Sequence, residues 1–300
     1  LGQFQWACKA EGEKHQRFTA DLHESSKKAQ AGKPVVHFGV ISRYNPRMML
    51  EEYQPIMDYL SENTSYHFAL VLGKTYEDEV QSLCEGKVQI ASLGGMTYLQ
   101  AHKKCAAVPI VQPLNKNREP FYRSVIVVRK DSPFQKLSDL RGHSFAFAAI
   151  HSTSGNIAPR YYLLQAGFSL EDLSHHQNFR HHDSVVKAVL SGQFDAGAVK
   201  DIVAVRYLEG LRILHRSERI PSVPFVVRPD CDSDLVNSVK SALLKINPDD
   251  AHQASLLAEW SEEFRYGFVP ASDVDYEVVR RLIRKIPEQC DTACHPGVTL

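Results

Sequence analysis

The stretch FAFAAIHSTSGNIAPRYYLLQAG, residues 145–167, shows in one place how this chain is built. The apolar run at 145–148 is typical of a buried strand, and residues 153–166 have the apolar spacing of a helix. Ser152-Thr153-Ser154-Gly155 closes the turn that joins them. A buried strand followed directly by a helix indicates an α/β protein in which helices cover a parallel sheet.

The same turn is a candidate anion site. The first N–H groups of a helix are unpaired, and the positive end of the helix dipole attracts negative charge. The hydroxyls of Ser152, Thr153 and Ser154 add donors that suit a tetrahedral oxyanion. Serine and threonine are also ordinary N-caps, so the motif taken alone favours a simple helix cap. The position of the turn in the fold is needed to distinguish an anion site from a simple helix cap.

The alternation of strands and helices extends in both directions from this turn. Strands are predicted at residues 35–41, 66–72, 88–93, 122–128, 194–199 and 223–227. Helices are predicted between them at residues 48–60, 76–83, 96–101 and 185–190, and residues 235–286 are predicted to be mostly helical. Because the rhythm restarts after residue 128, it predicts two similar α/β lobes, the second inserted into the first.

This insertion sets the predicted domain boundaries. Residues 9–33 are polar with little apolar periodicity, and we expect residues 1–33 to form a polar leader or tether. Lobe one takes residues 34–122 and 223–300, and lobe two takes residues 123–222. Open α/β sheets bind ligands at the carboxyl ends of their strands, which here places a ligand between the lobes. The hydroxyl turn lies at such an edge, and this position favours an anion site over a simple cap.

The composition excludes several classes of partner. Lys+Arg and Asp+Glu balance at 35 each, so no overall field points to nucleic acid or to an anionic membrane. No apolar run approaches the length of a membrane span. With 43% hydrophobic residues, the 300-residue chain can bury the core of one large or two medium domains. An anion site would therefore depend on a local group of side chains and not on the overall charge of the chain.

The cysteines favour disulfides in an oxidising compartment without showing their pairing. The chain contains Cys8, Cys84, Cys105, Cys231, Cys290 and Cys294. None forms a Cys-x-x-Cys motif, which speaks against a zinc ribbon or a thioredoxin-like site. The pair Cys290 and Cys294 is typical of a C-terminal staple or of loose thiols.

The start of the chain is expected to be that of a trimmed or mature form, since it has neither an initiator Met nor a signal peptide. Residues 5–8, Gln-Trp-Ala-Cys, resemble a lipoprotein cleavage site faintly. Lipid attachment at Cys8 is a minor hypothesis, which mass spectrometry of the native protein tests by looking for an acyl group.

From about Val35 to Ile286 the chain resembles the periplasmic phosphonate-binding proteins of ABC importers, in the broader phosphate, phosphite and phosphonate group. The specific part is the Ser-Thr-Ser-Gly turn at its distance from His182-Asp183. Weaker matching segments lie at residues 38–42, 76, 86–91, 122–125, 130–133 and 192–196. The resemblance implies a two-lobed type II periplasmic binding protein with a two-crossing hinge, located in the periplasm or otherwise outside the cytoplasm.

The resemblance also implies a set of ligand-binding residues. Those residues are Tyr76, Tyr122, Ser152, Thr153, Ser154 and His182. The turn would hold the phosphonate group with hydroxyls and N–H groups, the tyrosines would donate from lobe one, and the histidine would close the cage from lobe two. Such neutral donors satisfy a tetrahedral anion without burying an unpaired cation.

Several of these residues also have an ordinary structural role open to them. Tyr76 and Tyr122 fit core aromatics whose hydroxyls reach water. His182 fits a cap of the helix at 185–190, although Asp183 is the better cap. Arg43, which follows the first strand, is expected to be a solvated surface arginine, with a charged role in the pocket as the alternative.

Two departures from the family pattern bear on the ligand. Relatives that bind aminoalkyl phosphonates place carboxylates against the ammonium group, and the matching positions here are Ile202, next to Asp201, and Val223. A buried ammonium group without those charges would be unpaired and costly. We therefore expect a small oxyanion such as phosphate, phosphite or a simple alkylphosphonate.

The histidines and the serine-rich turn also allow two other classes of function. His175-His176 and His181-His182 invite a metal site, but adjacent histidines on an extended segment point to opposite faces, so we expect no metal and no cofactor. A metal or metalloid oxyanion such as arsenite, bound by a sensor-type protein, is the alternative. A hydrolase built from Ser154 and His182 with Asp183 lacks the Gly-x-Ser-x-Gly motif and a base positioned on the serine.

The sequence thus predicts a solute-binding protein rather than an enzyme. It would act as a monomer, close around a small oxyanion and present the closed form to the membrane subunits of an ABC importer. A sensor kinase is the alternative partner, and nucleic acid is excluded. Closure follows because a ligand that contacts both lobes favours the closed state.

Overall fold

A computed structural model describes residues 32–286 of the chain. The strands are β1 (Val35–Val40), β2 (His67–Leu72), β3 (Ile90–Ser92), β4 (Val108–Pro113), β5 (Phe121–Tyr122), β6 (Ser124–Arg129), β7 (Ser144–Phe147), β8 (His175–Asn178), β9 (Ala196–Lys200), β10 (Leu211–Arg216), β11 (Ile220–Pro221), β12 (Phe225–Val227) and β13 (Phe268–Pro270). The helices are α1 (Pro46–Asn63), α2 (Tyr76–Cys84), α3 (Gly95–Cys105), α4 (Ala158–Gln165), α5 (His182–Leu190), α6 (Asp201–Val205), α7 (Ser233–Leu243), α8 (Ala254–Glu259) and α9 (Glu277–Arg284). A π-helical turn (Thr153–Ile157) precedes α4, and 3-10 turns lie at Leu137–Leu140, Leu170–Asp172 and Asp273–Tyr276.

The strands form two mixed sheets and one small ribbon. The first sheet has the order β13-β4-β12-β3-β1-β2, and the second has the order β10-β6-β9-β7-β8. The parallel pairing predicted for both lobes is found where β1 lies between β2 and β3, and where β7 lies between β8 and β9. The remaining pairs in each sheet are antiparallel.

The chain passes twice between the two sheets. It leaves the first sheet after β4 and returns to it at β12, and the two-stranded ribbon of β5 and β11 lies at these crossings. We call the six-stranded sheet with its helices the first lobe and the five-stranded sheet with its helices the second lobe. The predicted lobe boundaries at residues 122 and 222 stay a prediction. No helix in the described part has the length and apolar character needed to cross a membrane.

Helix α1 shows how sequence pattern sets the packing. The Asn45 side chain accepts the N–H of Met48 at 3.2 Å, and Pro46 stands in the first turn, where no N–H is needed. The apolar residues predicted on its inner face are all buried in the core: Met49, Tyr53, Ile56, Met57 and Leu60. This packing holds the loop between β1 and α1 at the edge of the first sheet.

Some elements differ from the prediction. Strand β8 has the sequence HHQN and no apolar residue, because it is an edge strand that pairs only with β7. Strands β4, β10 and β13 also lack a clear apolar alternation, and the last interrupts a segment predicted as mostly helical. The predicted strand at 122–128 is divided at Arg123 into β5 and β6, and the predicted helix at 153–166 opens with the π-helical turn.

A disulfide joins Cys84 at the end of α2 to Cys105 at the end of α3. Among the described residues Cys231 is a free thiol. The other three cysteines lie outside the described residues, together with the predicted lipid attachment at Cys8, the C-terminal staple and nearly all of the predicted leader. A disulfide within the first lobe is compatible with an oxidising compartment.

Candidate functional site

Most of the residues predicted to bind an anion lie where helices begin, and Tyr122 lies in β5. We call them the cradle: Tyr76, Tyr122, Ser152, Thr153, Ser154 and His182. Tyr76 is the first residue of α2, His182 is the first residue of α5, and the serine-rich turn follows β7 and opens the π-helical turn. Helix starts present unpaired N–H groups and positive dipole ends, so these segments together suit a negative charge.

Ser152 connects three of these segments. Its hydroxyl accepts the N–H of Gly155 at 3.0 Å, so the turn is also the helix cap that its sequence suggests. The same hydroxyl lies 3.2 Å from Nε2 of His182 and shares a hydrogen bond with the side chain of Tyr76. Glycine is needed at position 155, because a Cβ there would lie 2.2 Å from the Cβ of Ala148. The cap and the candidate anion site are one structure.

Thr153 joins the turn to the first lobe. Its hydroxyl accepts the N–H of Met96 at 2.9 Å, in the first turn of α3. A Cβ at Gly95 would lie 3.3 Å from this hydroxyl and 2.9 Å from Cγ2 of Val279, so glycine permits the approach. This helix start was not predicted as part of the site. The available signal was the pair Gly94-Gly95, placed directly between a predicted strand and a predicted helix.

Ser154 faces the crossing between the lobes. Its carbonyl accepts the hydroxyl of Ser124 at 2.6 Å, and its side chain shares a hydrogen bond with Tyr122 in β5. Burial raises the pKa of Tyr122 well above its usual range and raises the pKa of Tyr76 to about 12. Both phenols therefore stay protonated near neutral pH and remain hydrogen-bond donors.

His182 is buried and neutral. Burial, together with the positive charges of Arg43 and Lys200, lowers its pKa to about 3. Its Nδ1 accepts the N–H of Lys200 at 3.4 Å, which assigns the ring proton to Nε2, the atom that faces Ser152. Nε2 is thus a donor towards the turn and not a base, and it contacts Ser152 rather than Ser154. This arrangement does not support the hydrolase considered from the sequence.

A buried group of three charged side chains lies beside the cradle. Arg43 Nη1 and Lys200 Nζ both lie 2.6 Å from Oε1 of Glu263. The expectation of a solvated Arg43 is wrong: its side chain is 5% exposed, because it turns inwards to this carboxylate and to Tyr53. Lys200 and Glu263 were not predicted, because they are 63 residues apart and Glu263 is 220 residues from Arg43, so no local pattern joins them.

A cavity of about 310 Å³ adjoins this charged group. Tyr122, Lys200 and Glu263 line it, with Ile202 and the loop at residues 113–117. The one carboxylate adjacent to Ile202, that of Asp201, already accepts two backbone N–H groups, those of Arg123 and Ile202, at 2.9 Å each. Val223, the other position that departs from the family pattern, is a buried core residue.

The histidine pairs have structural partners. His175 stacks on Phe194 with a ring separation of 5.3 Å, and His176 lies edge-on to Phe147. His181 Nδ1 lies 3.0 Å from the carbonyl of Ser42. Within residues 32–286, no three or more His, Cys, Asp or Glu side chains are grouped so as to hold a metal ion. Nothing in this range supports the metal alternative.

Comparisons with known proteins point to one family. Residues 38–276 match the family described as "ABC transporter, phosphonate, periplasmic substrate-binding protein". The chain is 23% identical over 269 residues to the "Phosphonates-binding periplasmic protein" of Escherichia coli (strain K12), covering 85% of this chain and 77% of that protein. It is 23% identical over 270 residues to the "Phosphate-import protein PhnD" of Mycolicibacterium smegmatis, covering 82% of this chain and 84% of that protein.

Solved structures share the architecture. PhnD1 of Prochlorococcus marinus (MIT 9301), in complex with methylphosphonate, superposes with a TM-score of 0.74 at 21% identity, over 84% of this chain and 97% of that one. A binding protein component of an ABC phosphonate transporter from Pseudomonas aeruginosa gives a TM-score of 0.74 at 22% identity, over 83% of this chain and 85% of that one. The predicted two-lobed type II fold is confirmed. Because the family match spans most of its length, the chain belongs to the periplasmic substrate-binding proteins of phosphonate ABC transporters.

Proposed function

We propose that this chain binds a small phosphorus oxyanion, namely phosphate, phosphite or a simple alkylphosphonate, between its lobes. The observation that carries the proposal is the convergence of neutral donors on the Ser152–Ser154 turn. Tyr76 and Tyr122 reach it from one side and His182 from the other. Hydroxyl, phenol and imidazole donors suit a tetrahedral anion with several acceptor oxygens.

The names of the relatives support the same ligand class. One relative is named for phosphonates and another for phosphate import, and the Prochlorococcus marinus structure contains methylphosphonate. A ligand with an amine is disfavoured here, because Ile202 and Val223 offer no charge and Asp201 is engaged by backbone N–H groups.

The chain is further proposed to act as a monomer without enzymatic activity, and to deliver its ligand to the membrane subunits of an importer. Nε2 of His182 is a donor, so the turn lacks the base that a serine nucleophile needs. A ligand held by both lobes favours the closed form, which the importer would recognise. A sensor kinase is the alternative partner, and no observation in residues 32–286 favours arsenite.

Calorimetry with phosphate, phosphite, methylphosphonate, zinc and arsenite tests the proposal. We expect at least one phosphorus oxyanion to bind, and Ser154→Ala to weaken its binding by about tenfold or more, because a buried donor is lost. Ser169→Ala is the matched control, since Ser169 also opens a helical turn of the second lobe but lies outside the cradle. Binding of zinc or arsenite alone, or equal affinities of both variants and wild type for the oxyanion, would contradict the proposal.

A further inference from the structure

The Arg43–Glu263–Lys200 group carries an excess of positive charge in a buried place. One carboxylate oxygen, Oε1 of Glu263, receives both cations at 2.6 Å. The other oxygen, Oε2, and Nε of Arg43 are buried without a hydrogen-bond partner among the described residues. Burial costs free energy for every ion, so a group that holds two cations and one anion is not explained by stability alone.

Neighbouring carboxylates offset only part of this excess. Glu52 pairs with Arg206 at 3.1 Å, and Asp183 pairs with Lys187 at 3.6 Å. Asp201 instead accepts the backbone N–H groups of Arg123 and Ile202 at 2.9 Å each, which do not cancel its charge, and it is partly exposed. The cradle groups add no charge, since the tyrosines are protonated and His182 is neutral. The three buried side chains therefore carry one net positive charge among themselves. Asp201 offsets it less than a buried carboxylate would, because it is partly exposed and raises the pKa of Lys200 less than Glu263 does.

The charged group touches the cradle directly. Nζ of Lys200 lies 4.4 Å from the ring centre of Tyr122, and its backbone N–H donates to Nδ1 of His182. The carbonyl of Arg43 accepts the N–H of His182 at 3.0 Å. An anion on the Ser152–Ser154 turn would therefore lie about one side chain away from the excess positive charge.

We propose that Arg43, Lys200 and Glu263 make the site select a doubly charged oxyanion over a singly charged one of the same shape. The selection rests on the proposed function, because it assumes that the ligand lies in the cradle. Neutral donors in the cradle recognise shape and acceptor oxygens, whereas Coulomb attraction to a buried net positive charge grows with the charge of the ligand. Glu263 keeps both cations in place and reduces their joint charge.

The test uses two ions of one shape. Methylphosphonate at pH 8 carries a second negative charge, and methanesulfonate carries one charge at any working pH. Calorimetry gives the ratio of their affinities for wild type, Lys200→Met, Glu263→Gln and the double variant. We expect a ratio above about a hundredfold for wild type, about tenfold lower for Lys200→Met, and higher for Glu263→Gln. Phosphate and perchlorate replace this pair if wild type accepts no methyl group.

The double variant separates charge from structure. Lys200→Met with Glu263→Gln keeps Arg43 and thus the net charge of wild type, while it avoids leaving one partner of a buried ion pair alone. We expect its affinity ratio to return to within about threefold of wild type. A ratio that stays at the Lys200→Met value, or one that is equal in all four proteins, overturns the inference.

The outcome also separates this inference from the proposed function. If wild type binds neither methylphosphonate nor phosphate, the proposed function fails first. If wild type binds one of them and Ser154→Ala weakens that binding, but the affinity ratio does not follow the charge of the variants, only the inference fails. Thermal unfolding of each variant shows that the protein compared is folded.

Discussion

Single residues of the cradle contribute as neutral donors. Burial raises the pKa of Tyr76 to about 12, so its phenol keeps its proton, and burial lowers the pKa of His182 to about 3, so its imidazole stays uncharged. The same low-polarity environment thus has opposite effects on the two pKa values and the same effect on the charge. Both groups remain ready to donate to an anion.

The first prediction concerns Gly155, which the turn requires. Gly155→Ala should lower the free energy of unfolding by about 1–3 kcal/mol and weaken oxyanion binding by about tenfold or more. The new Cβ would lie 2.2 Å from the Cβ of Ala148 and 2.9 Å from Cε1 of His182, so the turn or the histidine has to move. Urea unfolding and calorimetry with phosphate measure the two effects.

Gly94→Ala is the control for this substitution. The nearest atom to a Cβ at Gly94 lies at 3.5 Å, which is ordinary contact, although the residue also borders the cradle. We expect its stability and affinity to stay close to those of wild type. Equal losses in the two variants would show that glycine is not specifically needed in the turn.

Among the helices and strands, α2 combines a cradle residue with a buried acid. The helix begins at Tyr76 after a capping box formed by Thr75 and Asp78. One turn later, the Glu79 side chain is buried against the backbone at positions 39 and 73, where glycine leaves room for it. Neither carboxylate oxygen has a hydrogen-bond partner among the described residues. Burial, with Asp78 nearby, raises the pKa of Glu79 to about 7.

This raised pKa makes stability depend on pH. A group with a higher pKa in the folded state stabilises the fold fully below its unfolded pKa, here 4.5, and loses that contribution as the pH rises through about 7. Glu79→Gln removes the charge. The difference in unfolding free energy between this variant and wild type should therefore shift in favour of the variant by about 1–3 kcal/mol as the pH rises from 5 to 8. Urea unfolding across this range measures the gain.

Glu62→Gln serves as the matched control, because Glu62 is exposed on α1. Its unfolding free energy should follow that of wild type at every pH in the series. If the difference between Glu79→Gln and wild type is the same at pH 5 and pH 8, the carboxyl group does not titrate in this range and the prediction is wrong.

At the scale of the whole molecule, polar contacts join the two lobes. The Thr153 hydroxyl accepts the N–H of Met96, and two ion pairs cross between the lobes, Lys200 with Glu263 at 2.6 Å and Arg206 with Glu52 at 3.1 Å. Polar contacts of this kind can be exchanged for water more readily than a continuous apolar core, which suits lobes that open and close. Apolar packing also contributes: of the three apolar clusters among the described residues, two contain residues of both lobes and the third lies within the second lobe.

The interlobe pair of Arg206 and Glu52 gives the third prediction. Arg206→Gln should weaken oxyanion binding by about three- to tenfold, because it disfavours the closed form and leaves Glu52 without this partner. Calorimetry measures the affinity, and small-angle scattering shows whether the phosphate-bound protein is less compact than wild type. Arg47→Gln is the control, since Arg47 pairs with Glu51 at the surface of α1. A loss of the same size in both variants would contradict a role in closure.

The predicted part of this fold comes from local patterns. The strands and helices of the segment from 35 to 105 lie where apolar periodicity places them, and the turn at 152–155 follows a strand as predicted. Strand β8 was not predictable in the same way, because an edge strand needs no apolar side chains. Its pairing with β7 is decided by the neighbouring strand and not by its own residues.

The candidate site, like the fold, was predictable from the sequence only in part. The sequence by itself determined the two-lobed α/β architecture and the serine-rich turn, because both depend on residues that are close together in the chain. Only the tertiary structure decided that Arg43 is buried and that it shares the carboxylate of Glu263 with Lys200. These side chains come from distant segments, and their burial and charge are set by how the lobes pack, which no local pattern records.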